Sequence, residues 1–219
     1  MRALVTGATG RVGAAIAERL EHEGWAVFKA GSAEGDLSVV SQARALVERA
    51  AAELGGLDLL VHAAGAGFEP RAVADVTEED WDAAFGVTAK ASFFLAQAAA
   101  PHLRESRGLI VLIEDVAAYQ PWPSFAAHSA AKAAQAMLTR VLARALAPDV
   151  RVCGVVPGPV AVEPGQEERR AAETLLGRVG RPEDVADAVV YLAGARYTTG
   201  TSLVVDGGRL LQSGSGQKP

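Results

Sequence analysis

A glycine-rich turn close to the N-terminus limits most strongly what this chain can fold into. It lies between a short apolar run at residues 3–5 and a helical pattern at residues 14–23, and it contains Gly7, Gly10 and Gly13. Glycines at this spacing let the backbone approach a pyrophosphate, whose charge then meets the free N–H groups at the helix N-terminus. The sequence therefore predicts a strand–turn–helix unit that binds a nucleotide; a plain tight turn is the alternative.

Strand and helix patterns alternate along the rest of the chain. We predict strands at residues 3–5, 25–28, 57–61, 109–113, 150–156 and 202–205, and helices at 14–23, 40–54, 77–103, 125–146 and 182–192. The segment 31–38 is too short to hold a helix. Apolar strands that alternate with helices indicate an α/β fold, a doubly wound parallel sheet with helices on both faces. We expect one domain over residues 1–212 and a flexible tail of linker composition at 213–219.

Composition and charge exclude several classes of protein. The net charge of −5 argues against a nucleic-acid partner. No apolar run approaches the roughly 18 residues that a membrane-spanning helix needs. Cys153 is the single cysteine and lies in an apolar strand pattern, so we expect a small buried residue and no disulfide. The four histidines are scattered and lack the spacing of metal ligands. We therefore expect a cytoplasmic protein with no metal and no membrane partner.

Further motifs lie along the whole chain, at residues 6–13, 60–65, 157–160, 180–186 and 199–208, together with the pair at 36–37. Together they resemble the short-chain dehydrogenase/reductase family, in which an aspartate like Asp36 contacts the adenine. The resemblance implies a Rossmann-type fold and a nicotinamide cofactor. The residues that it assigns to cofactor binding are Thr6, Gly7, Thr9, Gly10, Arg11, Val12, Gly13, Asp36, Leu37, Ala63, Ala64, Gly65, Lys132, Pro157, Gly158 and Val160.

The end of the second strand favours NADP(H) over NAD(H). Enzymes that use NAD usually carry an acid there to hold the ribose hydroxyls, and residues 29–32 contain none. Arg11, Lys29 and Ser32 are candidates to bind the 2′-phosphate of NADP(H) by charge-assisted hydrogen bonds. A solvated strand end is the alternative interpretation of Lys29. Arg11 replaces the usual glycine of the family motif, which is similar to the pteridine-reductase branch; an epimerase-like branch is disfavoured by the short chain.

The catalytic positions depart from the family pattern of serine, tyrosine, lysine and asparagine. Lys132 matches the lysine, which in relatives holds the nicotinamide ribose. His128 stands in the tyrosine's place, Asp115 in the serine's place, as in pteridine reductases, and Thr88 in the asparagine's place. An imidazolium is a good proton donor, and the Asp115 carboxylate would favour that charged form. The alternative is that His128 has replaced the catalytic group of a site that no longer performs this chemistry.

The resemblance therefore implies an oxidoreductase that reduces a carbonyl or a pteridine-like C=N group of a small molecule. The alternatives are a nucleotide-binding sensor or scaffold, and a partner subunit in a mixed oligomer. We expect a homo-dimer or homo-tetramer formed through the helices that begin near Thr77 and Phe125. His62 is more simply a structural histidine than a cofactor ligand, and residues 121–123 would line the cleft. The charges at residues 167–170 are interpreted as a solvated face, where relatives carry a lid.

Overall fold

A single parallel sheet organises the chain. The computed structural model describes residues 1–67 and 69–212, so the predicted tail at 213–219 lies outside the described residues. Six strands pair in the order β2-β1-β3-β4-β5-β6, all parallel. The strands are β1 (Arg2–Thr6), β2 (Ala26–Ala30), β3 (Leu59–His62), β4 (Leu109–Ile113), β5 (Arg151–Pro157) and β6 (Ser202–Val205). The helices are α1 (Arg11–His22), α2 (Val40–Leu54), α3 (Glu78–Phe85), α4 (Ala91–Ser106), α5 (Ala126–Leu146), α6 (Glu167–Ala171) and α7 (Pro182–Gly194).

Both faces of the sheet are covered, which confirms the predicted doubly wound architecture. Alternate strand residues point to opposite faces because the side-chain period of a strand is two. Leu4, in β1, therefore packs towards α2, α4 and α5, whereas its neighbour Val5 packs towards α1 and α7. Cys153 is fully buried in the second of these layers, as predicted.

The predicted helix over residues 77–103 is divided in the structure. Thr77 and Asp80 exchange backbone-to-side-chain hydrogen bonds of 3.0 and 3.2 Å, and this capping box opens α3. A π-helical turn at Gly86–Lys90 then separates α3 from α4. Such a turn releases backbone groups from the helical ladder. The imidazole of His62, at Nε2, meets the carbonyl of Val87 at 3.0 Å, which accounts for the interruption.

The segment at residues 31–38 holds no α-helix, as predicted, and contains one short 3-10 turn at Ser32–Glu34. The carboxylate of Glu34 accepts a hydrogen bond from the backbone N–H of Gly31 at 2.6 Å and closes this turn. The turn leads directly towards α2, and no strand follows β2 before that helix. As a result β2 is an edge strand, paired with β1 alone.

The strand order places the functional residues at one edge of the sheet. From β1 the sheet grows to β2 on one side and to β3 on the other, so the connections diverge between β1 and β3. Ligands of such sheets bind outside the carboxyl ends of the strands at this point. Thr6 and His62 are register partners at the ends of β1 and β3. No helix in the described part of the chain combines the length and apolarity that a membrane crossing requires.

Candidate active site

The glycine turn after β1 is shaped by close backbone approaches. Gly7 has a φ of 71°, a conformation that residues with a Cβ rarely adopt. A Cβ on Gly7 would lie 2.5 Å from the backbone nitrogen of Ala64, and one on Gly13 would lie 2.7 Å from the carbonyl carbon of Gly7. Both contacts are with backbone, which has little room to move. The turn therefore requires glycine at both positions and brings the N-terminus of α1 against β1.

A cavity of about 420 Å³ opens beside this turn. It brings together nine of the predicted cofactor-binding residues, namely Gly7, Thr9, Gly10, Ser32, Asp36, Leu37, Ala63, Ala64 and Gly65. Asp36 accepts hydrogen bonds from the backbone N–H and hydroxyl of Ser38, at 2.8 and 2.7 Å, which hold the pKa of its carboxyl below the ordinary value. The glycine turn, the segment after β2 and the end of β3 therefore meet around one cavity.

The three residues predicted for the 2′-phosphate do not come together. Ser32 lines the 420 Å³ cavity, but Lys29 pairs with Glu21 at 2.8 Å on the exposed side of β2. Arg11 turns the other way, towards the carbonyl of Val162 at 3.0 Å and the carboxylate of Glu163 at 2.6 Å. The sequence reasoning also missed Glu34, whose carboxylate lies at the end of β2.

Other predicted cofactor residues lie in the framework around the cavities. Thr6 is fully buried and its hydroxyl contacts Nδ1 of His62 at 2.8 Å. Val12 packs against the core under α1, and Pro157 ends β5. Gly158 and Val160 line a second cavity, described below, together with Arg11.

His128 and Asp115 form the predicted pair. The imidazole Nε2 lies 3.5 Å from Oδ2 of Asp115, and the histidine side chain is 10% exposed. The other oxygen of Asp115 accepts the backbone N–H of Ala117 at 2.7 Å, which orients the carboxylate at the start of the short turn Val116–Ala118. The carboxylate is thus fixed beside the imidazole, and a histidine next to an oriented carboxylate has the composition of an acid–base pair.

Lys132 lies one helical turn after His128 on α5 and is buried. Its ammonium donates to the carbonyl of Ile113 at 2.7 Å and to the side chain of Gln135 at 3.0 Å. Gln135 donates to the hydroxyl of Ser92 at 2.9 Å, and Ser92 donates to the carbonyl of Thr88 at 2.7 Å. Burial lowers the pKa of Lys132, against the charges of two nearby carboxylates. The chain of hydrogen bonds ties α5 to the π-helical turn.

The sequence reasoning missed this hydrogen-bonded chain. Its one signal was the spacing of Lys132 and Gln135, three residues apart and hence on one face of an alanine-rich helix. Thr88, predicted as a catalytic residue, contributes its backbone carbonyl to the chain and is itself buried.

A buried carboxylate next to Asp115 was also missed. Glu114 is 1% exposed and accepts hydrogen bonds from the hydroxyls of Tyr119, Thr139 and Ser202 at 2.9, 2.7 and 2.9 Å. Three donors compensate the charge of a buried carboxylate. Consecutive residues at the end of β4 thus face opposite ways, one into this polar cluster and Asp115 towards the cavity. An acid directly after five apolar residues was the available signal.

His62 is a structural histidine, in agreement with the simpler interpretation of the sequence. Its ring is fully buried between the hydroxyl of Thr6 and the carbonyl of Val87. Burial, followed by the charge of Lys132, lowers its pKa to about 4. The ring is therefore neutral at physiological pH and bridges β1 to the π-helical turn.

A second cavity, of about 710 Å³, opens in front of Asp115. Residues 121–123 line it as predicted, with Phe125 beside them. Arg170 and Arg209 also line it, and both pair with the carboxylate of Glu173. The prediction of a solvated face at residues 167–170 is wrong for Arg170, because α6 turns this side chain inward. His128 lines an adjoining cavity of about 660 Å³ that shares Ser124 and Phe125 with the second one.

Comparison with known proteins gives consistent matches over nearly the whole chain. A family model described as enoyl-(acyl carrier protein) reductase matches residues 7–209. The chain is 35% identical over 243 residues to 4-formylbenzenesulfonate dehydrogenase of Comamonas testosteroni, covering 94% of this chain and 96% of that protein. It is 30% identical over 243 residues to dehydrogenase/reductase SDR family member 4 of Caenorhabditis elegans, covering 94% of each. Among solved structures, a 3-ketoacyl-(acyl-carrier-protein) reductase from Brucella melitensis complexed with NADH superposes with a TM-score of 0.89 at 27% identity, covering 95% of this chain and 98% of that one.

Proposed function

Because the chain belongs to the short-chain dehydrogenase/reductase family of oxidoreductases, we propose that it reduces a small carbonyl compound with a nicotinamide cofactor and a histidine proton donor. The observation that carries the proposal is the pair of His128 and Asp115, 3.5 Å apart beside a large cavity. The relative from Comamonas testosteroni is named for an aldehyde substrate, which supports carbonyl chemistry. Reduction of a pteridine-like C=N group is the second substrate class to be tested.

The residues present fit a nicotinamide cofactor. The glycine turn leaves the backbone open to a pyrophosphate, and the adjoining cavity suits an adenosine. Gly158 and Val160 line the second cavity on the side of β5, where the nicotinamide end would be held. A bound nicotinamide supplies the hydride. The comparison structure with NADH supports this class of cofactor.

In the proposed reaction, His128 gives its proton to the carbonyl oxygen, and the alcohol leaves with one added hydride and one added proton. The carboxylate of Asp115, 3.5 Å from the ring, orients the imidazole for the transfer, and the imidazole then regains a proton from solvent. Lys132 directs two of its three N–H donors to Ile113 and Gln135, which fixes the ammonium under the site. Its positive charge also stabilises the developing alkoxide.

NADP(H) is the preferred cofactor in this proposal. Gly31 and Ser32, the first residues after β2, place no carboxylate at the edge of the adenosine cavity, and Ser32 offers a hydroxyl. The carboxylate of Glu34 accepts the backbone N–H of Gly31, and that of Asp36, which lines the cavity, accepts hydrogen bonds from Ser38. The measured ratio of NADPH to NADH affinity tests this preference; a tighter complex with NADH would reverse it.

Consumption of NADPH by the purified protein tests the proposed function. Simple dicarbonyls, aromatic aldehydes, quinones and dihydropterins are offered to the native protein, to His128→Ala and to His128→Tyr. Removal of a general acid typically lowers kcat by about 10²- to 10⁴-fold, and we expect this for His128→Ala with unchanged affinity for NADPH. The control is His102→Ala, since this histidine pairs with Glu48 on the surface of α4.

A silent native protein together with an active His128→Tyr would contradict the histidine mechanism. That outcome would show an intact scaffold without its proton donor and would favour the alternative of a nucleotide-binding sensor, scaffold or partner subunit. Binding of NADPH with no turnover in either form would favour the same alternative.

Self-association as a homo-dimer or homo-tetramer is part of the proposal. Exposed apolar side chains stand on α3, α4 and α5, namely Trp81, Phe93, Met137 and Val141. Where exposed apolar side chains form a contiguous patch, the patch commonly marks an interface between proteins. A monomer in analytical ultracentrifugation would contradict it.

A further inference from the structure

Two arginines on the wall of the second cavity depend on the same carboxylate. Arg170, on α6, and Arg209, in the short turn after β6, both pair with Glu173. The exposed Arg169 reaches the same side chain at 3.9 Å, so that three guanidinium groups share one carboxylate. The Arg209 side chain is 13% exposed, and its buried Nε has no hydrogen-bond acceptor among the described residues. A buried guanidinium with incomplete partners is costly, and an anion in the cavity would compensate it.

The other charges on the cavity wall are already matched. Arg11 pairs with Glu163 at 2.6 Å, and Asp115 lies beside His128. Burial and the neighbouring Arg170 lower the pKa of the Arg209 guanidinium, and Asp115 opposes them, but an arginine stays charged throughout the physiological range. The guanidinium groups around Glu173 therefore outnumber the carboxylate that they share, although the chain as a whole carries a net charge of −5.

The wall next to Arg209 is flat and apolar. The guanidinium of Arg209 lies 5.2 Å from the ring centroid of Trp122, a cation–π contact that holds both groups. The ring of Phe125 meets Trp122 edge-on at 5.9 Å. With Pro121 and Pro123, these rings form a surface that suits an aromatic or other planar body.

We propose that the substrate is an anionic carbonyl compound whose carboxylate or sulfonate binds Arg209 and Arg170 while its apolar body lies along Trp122 and Phe125. The guanidinium fork matches such groups with two parallel hydrogen bonds. This proposal rests on the proposed function for the identity of the reacting group, because Asp115 and the arginines line the same cavity. The anion would also fix the carbonyl relative to His128.

A matched pair of substrates tests the proposal. The pair is 4-formylbenzoate and its methyl ester, which share the aldehyde and the ring and differ in the charge. Charge-assisted hydrogen bonds predict a kcat/KM about 10- to 100-fold higher for the acid in the native protein. Arg209→Gln and Arg170→Gln should each remove most of this ratio by lowering kcat/KM for the acid, while the ester is little affected.

Three controls test whether the arginines bind the anionic group of the substrate or the phosphates of the cofactor. Arg196→Gln removes one charge from an exposed position outside the cavity wall and should leave the ratio unchanged. Arg209→Lys keeps the positive charge and should retain part of the acid-to-ester ratio. It replaces Arg209→Gln as the test variant if Arg209→Gln folds poorly. The affinity for NADPH should be equal in all variants; a loss confined to NADPH binding, with the acid-to-ester ratio intact, would assign the arginines to cofactor phosphates and overturn the proposal.

A binding experiment separates this proposal from the proposed function. 4-(Hydroxymethyl)benzoate and its methyl ester are titrated by calorimetry into the protein saturated with NADP⁺, which needs no turnover. Tighter binding of the acid by about tenfold or more, lost in Arg170→Gln and Arg209→Gln, supports the anion site even when neither aldehyde is reduced. Equal binding of acid and ester by the native protein overturns it.

Discussion

The adenosine cavity and the second cavity lie at the same edge of the sheet but are built from different parts of the chain. Around the adenosine cavity the critical contacts are between backbone atoms, as where Gly13 meets Gly7 and Gly7 meets residues 63–64. Around the second cavity they are between side chains, such as His128 with Asp115 and Arg209 with Trp122. The backbone contacts require glycine at fixed points, whereas the side-chain contacts set no such requirement on the backbone. The first cavity is therefore defined by the fold, and the second by the side chains that line it.

Among the substitutions that test this difference between the two cavities, Gly13→Ala is expected to have the largest effect on stability and cofactor binding. Its Cβ would lie 2.7 Å from the carbonyl carbon of Gly7 and closer still to the oxygen, so the turn has to shift. We expect destabilisation of about 1–3 kcal/mol or more and loss of measurable NADPH binding. Urea unfolding and calorimetric titration measure the two. Gly194→Ala is the matched control, because a Cβ there meets nothing within 4 Å and should change stability by less than about 1 kcal/mol.

The next effect concerns His62, which joins the two regions. In the folded protein the ring stays neutral down to about pH 4, whereas in the unfolded chain it takes up a proton below about pH 6.5. Acid therefore favours unfolding between these values, and the full difference corresponds to about 3 kcal/mol. From pH 7 to pH 5 we expect the free energy of unfolding, measured with urea, to fall by about 2 kcal/mol in the native protein but not in His62→Asn. His102→Asn should keep the native pH dependence; an identical dependence in His62→Asn would contradict the assignment.

Asp115→Asn tests the side-chain contacts around the second cavity. The amide oxygen can still accept the backbone N–H of Ala117, so the local fold is kept while the charge beside His128 is lost. We expect a decrease in kcat of about 10-fold with unchanged NADPH affinity. Steady-state kinetics and calorimetric titration of NADPH measure the two. Asp75→Asn makes the same charge change at an exposed turn and should have native kinetics.

The smallest effect is expected at Arg11, which stands at the border of the two regions. Its ion pair with Glu163 is largely exposed, and such pairs contribute at most about 1 kcal/mol, so the guanidinium can exchange partners. We expect Arg11→Ala to weaken NADPH binding a few-fold more than NADH binding. Glu163→Gln should slightly strengthen NADPH binding. Equal losses for both cofactors would remove the role in binding the 2′-phosphate.

The sequence predicted the parts of the molecule that depend on local patterns. Alternating apolar runs and capping residues identified the strands and helices, and the glycine turn located the cavity edge. It could not predict the pairing of Arg209 with Glu173 or the burial of Glu114, because these contacts join segments far apart in the chain. The prediction that Arg170 is solvated was wrong for the same reason, because the position of α6 against the cavity does not follow from the local sequence. The spacing from Asp115 to His128 matched the family, so this pair was found.

The π-helical turn at Gly86–Lys90 has a consequence for how the two regions respond to each other. His62 ties this turn to the end of β1 through Thr6, and the next carbonyl along the turn is held by the hydrogen bonds that run through Ser92 and Gln135 to Lys132. The end of β1, where the glycine turn begins, and α5 are thus connected through two adjacent peptide groups of the π-helical turn. Their contributions to stability should be non-additive, so the energetic effect of changing one end depends on whether the other end is intact.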